Sequence, residues 1–335
     1  MKKNGLPSPN AKCSLQKRCF LFRFCYTVVC RSCGDPSCFL SHNFSPLFYI
    51  FAYKVIRADK TMNITSCTTV VFSPTGTSRT IARSVASATG YAGHHVDVTY
   101  RRAASLSYGP DELLVVAVPV YGSHVAPMAL QRMQDLRGDN TPAVAVVLYG
   151  NRAYGEALLQ LSDFLAAKGF VTVAAGAFVG EHSYSSARYP IAAGRPDDAD
   201  LAMAQEWGAA VRRKLDAADA IVPVDVSRMQ EPQSPVLSKQ RFAEFIVSLQ
   251  QGKSSPLPVA PTTDPDRCTH CGCCVAMCPA GAIVAGDEWH TDASLCIKCC
   301  ACVKGCPAGA RCFPTPFAPV LSQYFGERKP PVTIV

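Results

Sequence analysis

The chain has 335 residues, 48% of them hydrophobic, with a formal net charge of +8 and 18 cysteines. That is long enough for one medium domain and a small one with a buried core. Ten of the Lys and Arg but only two of the Asp and Glu fall in residues 1–61, so residues 62–335 are charge-balanced; a nucleic-acid-binding body is excluded on charge.

Residues 1–61 mix Cys13, Cys19, Cys25, Cys30, Cys33 and Cys38 with Arg, Phe, Pro and Ser and show neither helical nor strand periodicity. Their apolar runs fall short of the roughly 20 residues that a membrane helix needs, so no span is expected. Met1-Lys2-Lys3 resembles the start of a signal peptide, but no clean apolar stretch and small-residue cleavage site follow. The expectation is a disordered extension or a mis-assigned start, with translation beginning at Met62.

Regular patterning begins at Thr68. Apolar runs predict strands at 69–72, 95–100, 113–120, 143–149 and 171–179, and helices are expected at 79–89, 128–137, 155–167 and 198–214. Near-continuous Val, Leu and Ala runs that alternate with helices imply a parallel sheet buried on both faces. The fold class is therefore α/β, a doubly wound sheet of flavodoxin-like strand order over residues 62–214.

Three loops leave the carboxyl ends of strands, where open α/β sheets bind ligands. The first, Ser73-Pro74-Thr75-Gly76-Thr77-Ser78, joins strand to helix and offers hydroxyls and amides to a phosphate. It lacks both the lysine of a P-loop and the glycine pattern of a dinucleotide site, so it suits a monophosphate; a solvated helix-capping turn is the alternative. The second runs from Pro119 through Val120, Tyr121, Gly122, Ser123 and His124 to Pro127, and the third from Tyr149 through Gly150, Asn151, Arg152 and Tyr154 to Gly155. His124 and His182 are either proton donors or simply hydrogen-bonded. The insert from Glu181 to Pro196 has the composition of a pocket wall.

Residues 215–263 read as a proline-rich linker around one helix, 238–251, whose Phe242, Phe245, Ile246 and Leu249 recur at helix spacing and imply packing on a domain. Two runs then follow in residues 264–313: Cys268, Cys271, Cys274, Cys278-Pro279 and Cys296, Cys299, Cys302, Cys306-Pro307. Each is C-x2-C-x2-C-x3-C-P, the bacterial spacing for [4Fe-4S] clusters in which the fourth cysteine serves the other cluster. The crossed rule assigns Cys268, Cys271, Cys274 and Cys306 to one cluster and Cys278, Cys296, Cys299 and Cys302 to the second. Zinc has no use for four cysteines per run, and a disulfide framework does not fit thiols crowded beside a long cysteine-poor segment. Cys273, Cys300 and Cys312 stand outside the pattern; His270 either tunes its cluster or faces solvent. Residues 314–335 read as a C-terminal tail.

Ser73 to Ser78 resembles the FMN phosphate loop of flavodoxins, with Thr77 where that pattern has Asn, and the second and third loops resemble those flanking the flavin ring. The whole of residues 64–315 is similar to the flavodoxin-ferredoxin fusion proteins of anaerobic bacteria and archaea. That resemblance implies FMN and two [4Fe-4S] clusters. It places the FMN phosphate on Ser73, Thr75, Gly76, Thr77 and Ser78, the ring against Tyr121, Tyr154 and Tyr149, and its edge at Val120, Gly122, Gly150 and Asn151. Arg152 is either a charge that favours anionic flavin or a solvated arginine. The expected function is electron relay in the cytoplasm with a redox partner protein; a flavin-dependent reductase of a small-molecule substrate is the alternative.

Overall fold

The computed structural model describes residues 63–103, 105–253 and 257–335; the expectations for residues 1–61 lie outside the described residues. β1 (Ser66–Val71), β2 (Ala92–Asp97), β3 (Glu112–Tyr121), β4 (Thr141–Tyr149) and β5 (Phe170–Val179) form a parallel sheet. From one edge the order is β2-β1-β3-β4-β5, the flavodoxin-like order, with an antiparallel strand added beyond β5. Helices α1 (Thr77–Thr89), α2 (Pro127–Arg132), α3 (Ala157–Ala166) and α4 (Asp198–Ala217) alternate with the strands. The central strands are buried on both faces, and for that reason they read as unbroken apolar runs.

Among the boundaries that differ from the expectation, two have a clear cause. β2 starts at Ala92 and ends at Asp97, because its partner β1 registers Ser66 on Ala92 and Val71 on Asp97. As an exposed edge strand it lacks the apolar run that marks the interior strands. The helix expected over 128–137 stops at Arg132: Met133 and Leu136 are both buried, and Leu136–Gly138 pairs instead with Leu106–Tyr108.

The added strand corrects the reading of residues 314–335 as a tail. They form α8 (Phe317–Tyr324) and β6 (Val332–Ile334), and β6 closes the sheet, with Val332 opposite Ala177 and Ile334 opposite Ala175. Trp207 Nε1 on α4 donates to Ile334 O at 3.3 Å. Gly176 on β5 makes room for that indole, since a Cβ there would lie 2.8 Å from it. Residues 215–263 are likewise no free tether. Their helix α5 (Val236–Gln250) packs on α8 through Phe245 and Phe317, ring centroids 5.1 Å apart, and Phe242 meets Phe325 at 5.7 Å.

The cysteine-rich segment is closed by a two-residue antiparallel pair, Thr262–Thr263 with Arg311–Cys312. Each cysteine run supplies one helical turn, α6 (Cys273–Ala276) and α7 (Ala301–Lys304). The two repeat each other in backbone detail: Gly272 and Cys300 enter the turns with φ 70° and 58°, and His270 and Lys298 precede them at 51° and 58°. Among the described residues no helix is long and apolar enough to cross a membrane.

Candidate functional site

β1 delivers the chain into a loop held from beneath. Ser73 N–H donates to Thr99 Oγ1 at 2.8 Å, and Ser73 Oγ accepts from Arg79 N–H at 3.1 Å. Gly76 then turns the chain with φ 88°, its N–H donating to Ser73 O at 3.1 Å. Nothing lies within 4 Å of where its Cβ would stand, so glycine serves the backbone conformation there rather than the space. No side chain caps α1, and Ser78 Oγ is buried without a hydrogen-bond partner among the described residues. A buried hydroxyl left unpaired at the start of a 13-residue helix is chemistry that suits an anion.

The loops after β3 and β4 form the walls beside it. Gly122 and Ser123 take φ 58° and 72°, returning the chain so that His124 pairs with Tyr121. After β4, Gly150 permits a close approach: a Cβ there would fall 2.1 Å from His182 Cδ2. His182 Nδ1 accepts from Tyr184 N–H at 3.0 Å, and burial pushes its pKa down to about 4, so the ring is neutral at pH 7. Arg152 donates to Ser123 Oγ at 3.1 Å and lies over the Phe242 ring at 4.7 Å.

These parts enclose a cavity of about 520 Å³. Ser73, Thr75, Thr77, Ser78, Val120, Tyr121, Gly122, Tyr149 and Gly150 line it, all expected from the sequence. Three expected residues do not. Gly76 shapes the loop without facing the cavity. Asn151 is buried and donates through Nδ2 to Phe325 O at 2.6 Å and Glu327 O at 2.7 Å, so it ties the loop to the C-terminal segment. Tyr154 is buried edge-on against Tyr149, centroids 5.6 Å apart, and is a floor for Tyr149 rather than a cover for a ring. His124 is exposed and outside the cavity.

The rest of the lining comes from distant segments. Glu181 to Tyr184 of the insert contribute, as do Phe242 and Ile246 of α5 and Phe317 and Leu321 of α8; Ile297 and Lys298 lie between two cluster cysteines. Helix spacing marked Phe242 and Ile246 as packing residues, but nothing in the local sequence says what they pack against. Tyr121 records the nearness of the cysteine segment: burial, and then negative charge at Cys299 and Cys300, holds its phenol well above the usual pKa.

Cys268, Cys271, Cys273, Cys274 and Cys306 line one small cavity, with Cys278 absent from it. Charges on Cys278 and Cys296 act on Cys299 and Cys302. The fourth cysteine of each run accepts a backbone N–H four residues on, Ala282 to Cys278 Sγ at 3.2 Å and Ala310 to Cys306 Sγ at 3.3 Å. Such bonds to sulfur raise a cluster's potential. Among the described residues no three His, Cys, Asp or Glu converge as a single-ion site. His270 Nδ1 lies 2.9 Å from Glu288 Oε2, and its ring packs on Trp289. Of the cysteines outside the pattern, Cys300 is buried, Cys273 half-buried and Cys312 exposed.

The family described as "4Fe-4S binding domain" matches residues 261–284, which hold the first cysteine run. No curated protein matches the chain in sequence. Similar solved structures include a flavodoxin from the domain Archaea (12% identity, 45% of this chain and 98% of that chain, TM-score 0.30). An apo NADH:FMN oxidoreductase is similar at 14% identity (49% and 97%, TM-score 0.32), and rubredoxin oxygen:oxidoreductase from Desulfovibrio gigas at 16% (51% and 41%, TM-score 0.33). The strand order of the sheet and the matched cysteine run together give the chain an α/β domain of flavodoxin-like fold followed by a segment similar to a 4Fe-4S binding domain.

Proposed function

We propose that the chain is an electron-transfer iron-sulfur flavoprotein that relays electrons between two [4Fe-4S] clusters and FMN and exchanges them with a redox partner protein. One observation carries the reading: a single cavity is lined both by the hydroxyl-rich loop Ser73–Ser78 and by Ile297 and Lys298, which lie between cluster cysteines. Clusters pass single electrons, whereas a bound flavin holds one or two, so the pair interconverts one- and two-electron chemistry.

The chain's own groups suit those cofactors. Ser78 Oγ, the neighbouring hydroxyls and the α1 amides would hold the FMN phosphate. Tyr121, Tyr149 and the neutral His182 would border the ring, with Val120, Gly122 and Gly150 at its edge and Arg152 supplying positive charge. Cys268, Cys271, Cys274 and Cys306 would hold one cluster, and Cys278, Cys296, Cys299 and Cys302 the second. Thiolate-ligated iron near the surface suits a reducing compartment such as the cytoplasm.

The insert favours a second reading, a flavin-dependent reductase, because Glu181 to Tyr184 add a polar wall to the cavity. Anaerobic purification with iron, sulfide and flavin quantified tests the relay: about eight irons and one FMN per chain are expected, and four irons or no flavin sinks it. If small-molecule turnover is found and His182→Asn abolishes it while cluster-to-flavin transfer survives, the reductase reading prevails.

A further inference from the structure

We infer, on the relay reading above, that the two clusters are not interchangeable: the one held by Cys278, Cys296, Cys299 and Cys302 is the inner cluster, which exchanges electrons with the flavin, and the one held by Cys268, Cys271, Cys274 and Cys306 is the outer cluster, which meets the redox partner.

The two runs have the same spacing and nearly the same backbone, so nothing local tells them apart. Their surroundings do. Ile297 and Lys298, between Cys296 and Cys299, line the large cavity. Their counterparts Thr269 and His270 do not: Thr269 lines the small thiol cavity, and His270 is taken up by Glu288 and Trp289. Arg132, on the flavodoxin-like side, donates to Val98 O at 3.0 Å and to Thr99 O, and its other nitrogen donates to Pro279 O, next to the inner ligand Cys278. Lys304, on the turn that follows Cys302, pairs with Glu181 of the cavity wall at 2.6 Å. The inner ligand Cys278 is thus fastened through Pro279 to the chain beside the Ser73 loop, and Lys304, two residues from both Cys302 and Cys306, ties the second run to the cavity wall.

Among the described residues, the outer set shares the Lys304 fastening but has no counterpart of the Arg132 bond. Its cavity is lined only by residues between Thr263 and Arg311, with none from the sheet domain. Cys271 is exposed where its counterpart Cys299 is buried, while Cys274 and Cys302 are both buried. Electron transfer weakens steeply with distance, so the order is partner, outer cluster, inner cluster, flavin, in either direction. In the reducing direction a one-electron carrier protein is oxidised by one electron for each electron the outer cluster gains. Two such passages, with two protons from water, fully reduce one flavin.

The test uses the full chain loaded with FMN and clusters, with Cys271→Ala and Cys299→Ala as separate variants, each keeping about four irons. After anaerobic photoreduction, flavin reduction is followed at its visible absorbance. Cys271→Ala is expected to retain rapid flavin reduction and to lose exchange with a reduced bacterial-type ferredoxin; Cys299→Ala is expected to lose rapid flavin reduction while its remaining cluster still reduces. The opposite pattern, or equal loss in both, overturns the order. If either variant fails to load, Ile297→Trp, which leaves every ligand in place, decides: overpacking the cavity wall is expected to weaken FMN binding about tenfold by fluorescence titration, and an affinity within twofold of the unaltered chain overturns it. Absence of FMN, or of any cluster-to-flavin transfer in the unaltered chain, would instead remove the relay reading itself.

Discussion

Asn151 offers the sharpest check on how the cavity is held, because it joins a flavin-side loop to the C-terminal segment. Its replacement by alanine removes two hydrogen bonds, to Phe325 O and Glu327 O, at 2.6 and 2.7 Å. Phe325 is buried, so its stranded carbonyl costs about 1–3 kcal/mol, whereas exposed Glu327 recovers a bond from water. Asn151 also sits at φ 67°, a left-handed conformation that asparagine tolerates and alanine pays about 1 kcal/mol to adopt. Together these weaken the hold on residues 325–334 by about 2–4 kcal/mol, or about 30-fold to several-hundred-fold in a local opening equilibrium. Hydrogen exchange of β6 on the cofactor-loaded chain measures it. Asn151→Gly loses the same bonds without the backbone penalty, so its exchange is expected to fall between wild type and alanine, with FMN affinity lowered in both. Exchange within threefold of wild type in the alanine variant, or no difference between glycine and alanine, would refute the reasoning.

Other outcomes follow from the same contacts. Arg195→Met removes the nearer of two guanidiniums from fully buried Asp200, which Arg195 Nε bonds at 2.8 Å and which keeps Asp197 N–H at 3.0 Å and Arg328 at 3.5 Å; a loss of about 1.5–3 kcal/mol is expected in denaturant melts, and a loss under 1 kcal/mol would contradict it. His182 has a folded pKa of about 4 against its ordinary value of 6.5, so the stability it contributes is full above 6.5 and lost as pH falls toward 4; between those values the loss is on the order of 2 kcal/mol after allowing for its exposure to the cavity. His182→Asn, which keeps an acceptor for Tyr184 N–H, is expected to flatten that part of the stability profile; an unchanged acid slope would sink the assignment. Gly176→Val presses on Trp207 and is expected to loosen β6, seen as a change in tryptophan emission and faster exchange at Val332–Ile334.

The cofactor chemistry was legible in short stretches of chain. Cys268, Cys271 and Cys274 lie within two turns of one another, so their spacing alone limits what they hold, and the same is true of the second run. Ser73 to Ser78 is a single loop whose hydroxyls and glycine suit an anion, and most of it lines the cavity. The interior strands were legible because burial on both faces leaves unbroken apolar runs; edge strand β2 and the short β6 lack that signal and were misplaced or missed.

What the sequence determined by itself is the inventory: a doubly wound sheet, a hydroxyl-rich loop after its first strand and two cysteine runs of cluster spacing. Only the tertiary structure decided their arrangement. It turned Tyr154 and Asn151 inward, drew Phe242, Phe317 and Tyr184 around the cavity from separate segments, and set Ile297 and Lys298 rather than Thr269 and His270 at its wall. The physical reason is that ligand spacing is a local property of the chain, whereas which of two equivalent loops faces a cavity depends on contacts such as Arg132 to Pro279 and Lys304 to Glu181, made between residues more than a hundred positions apart.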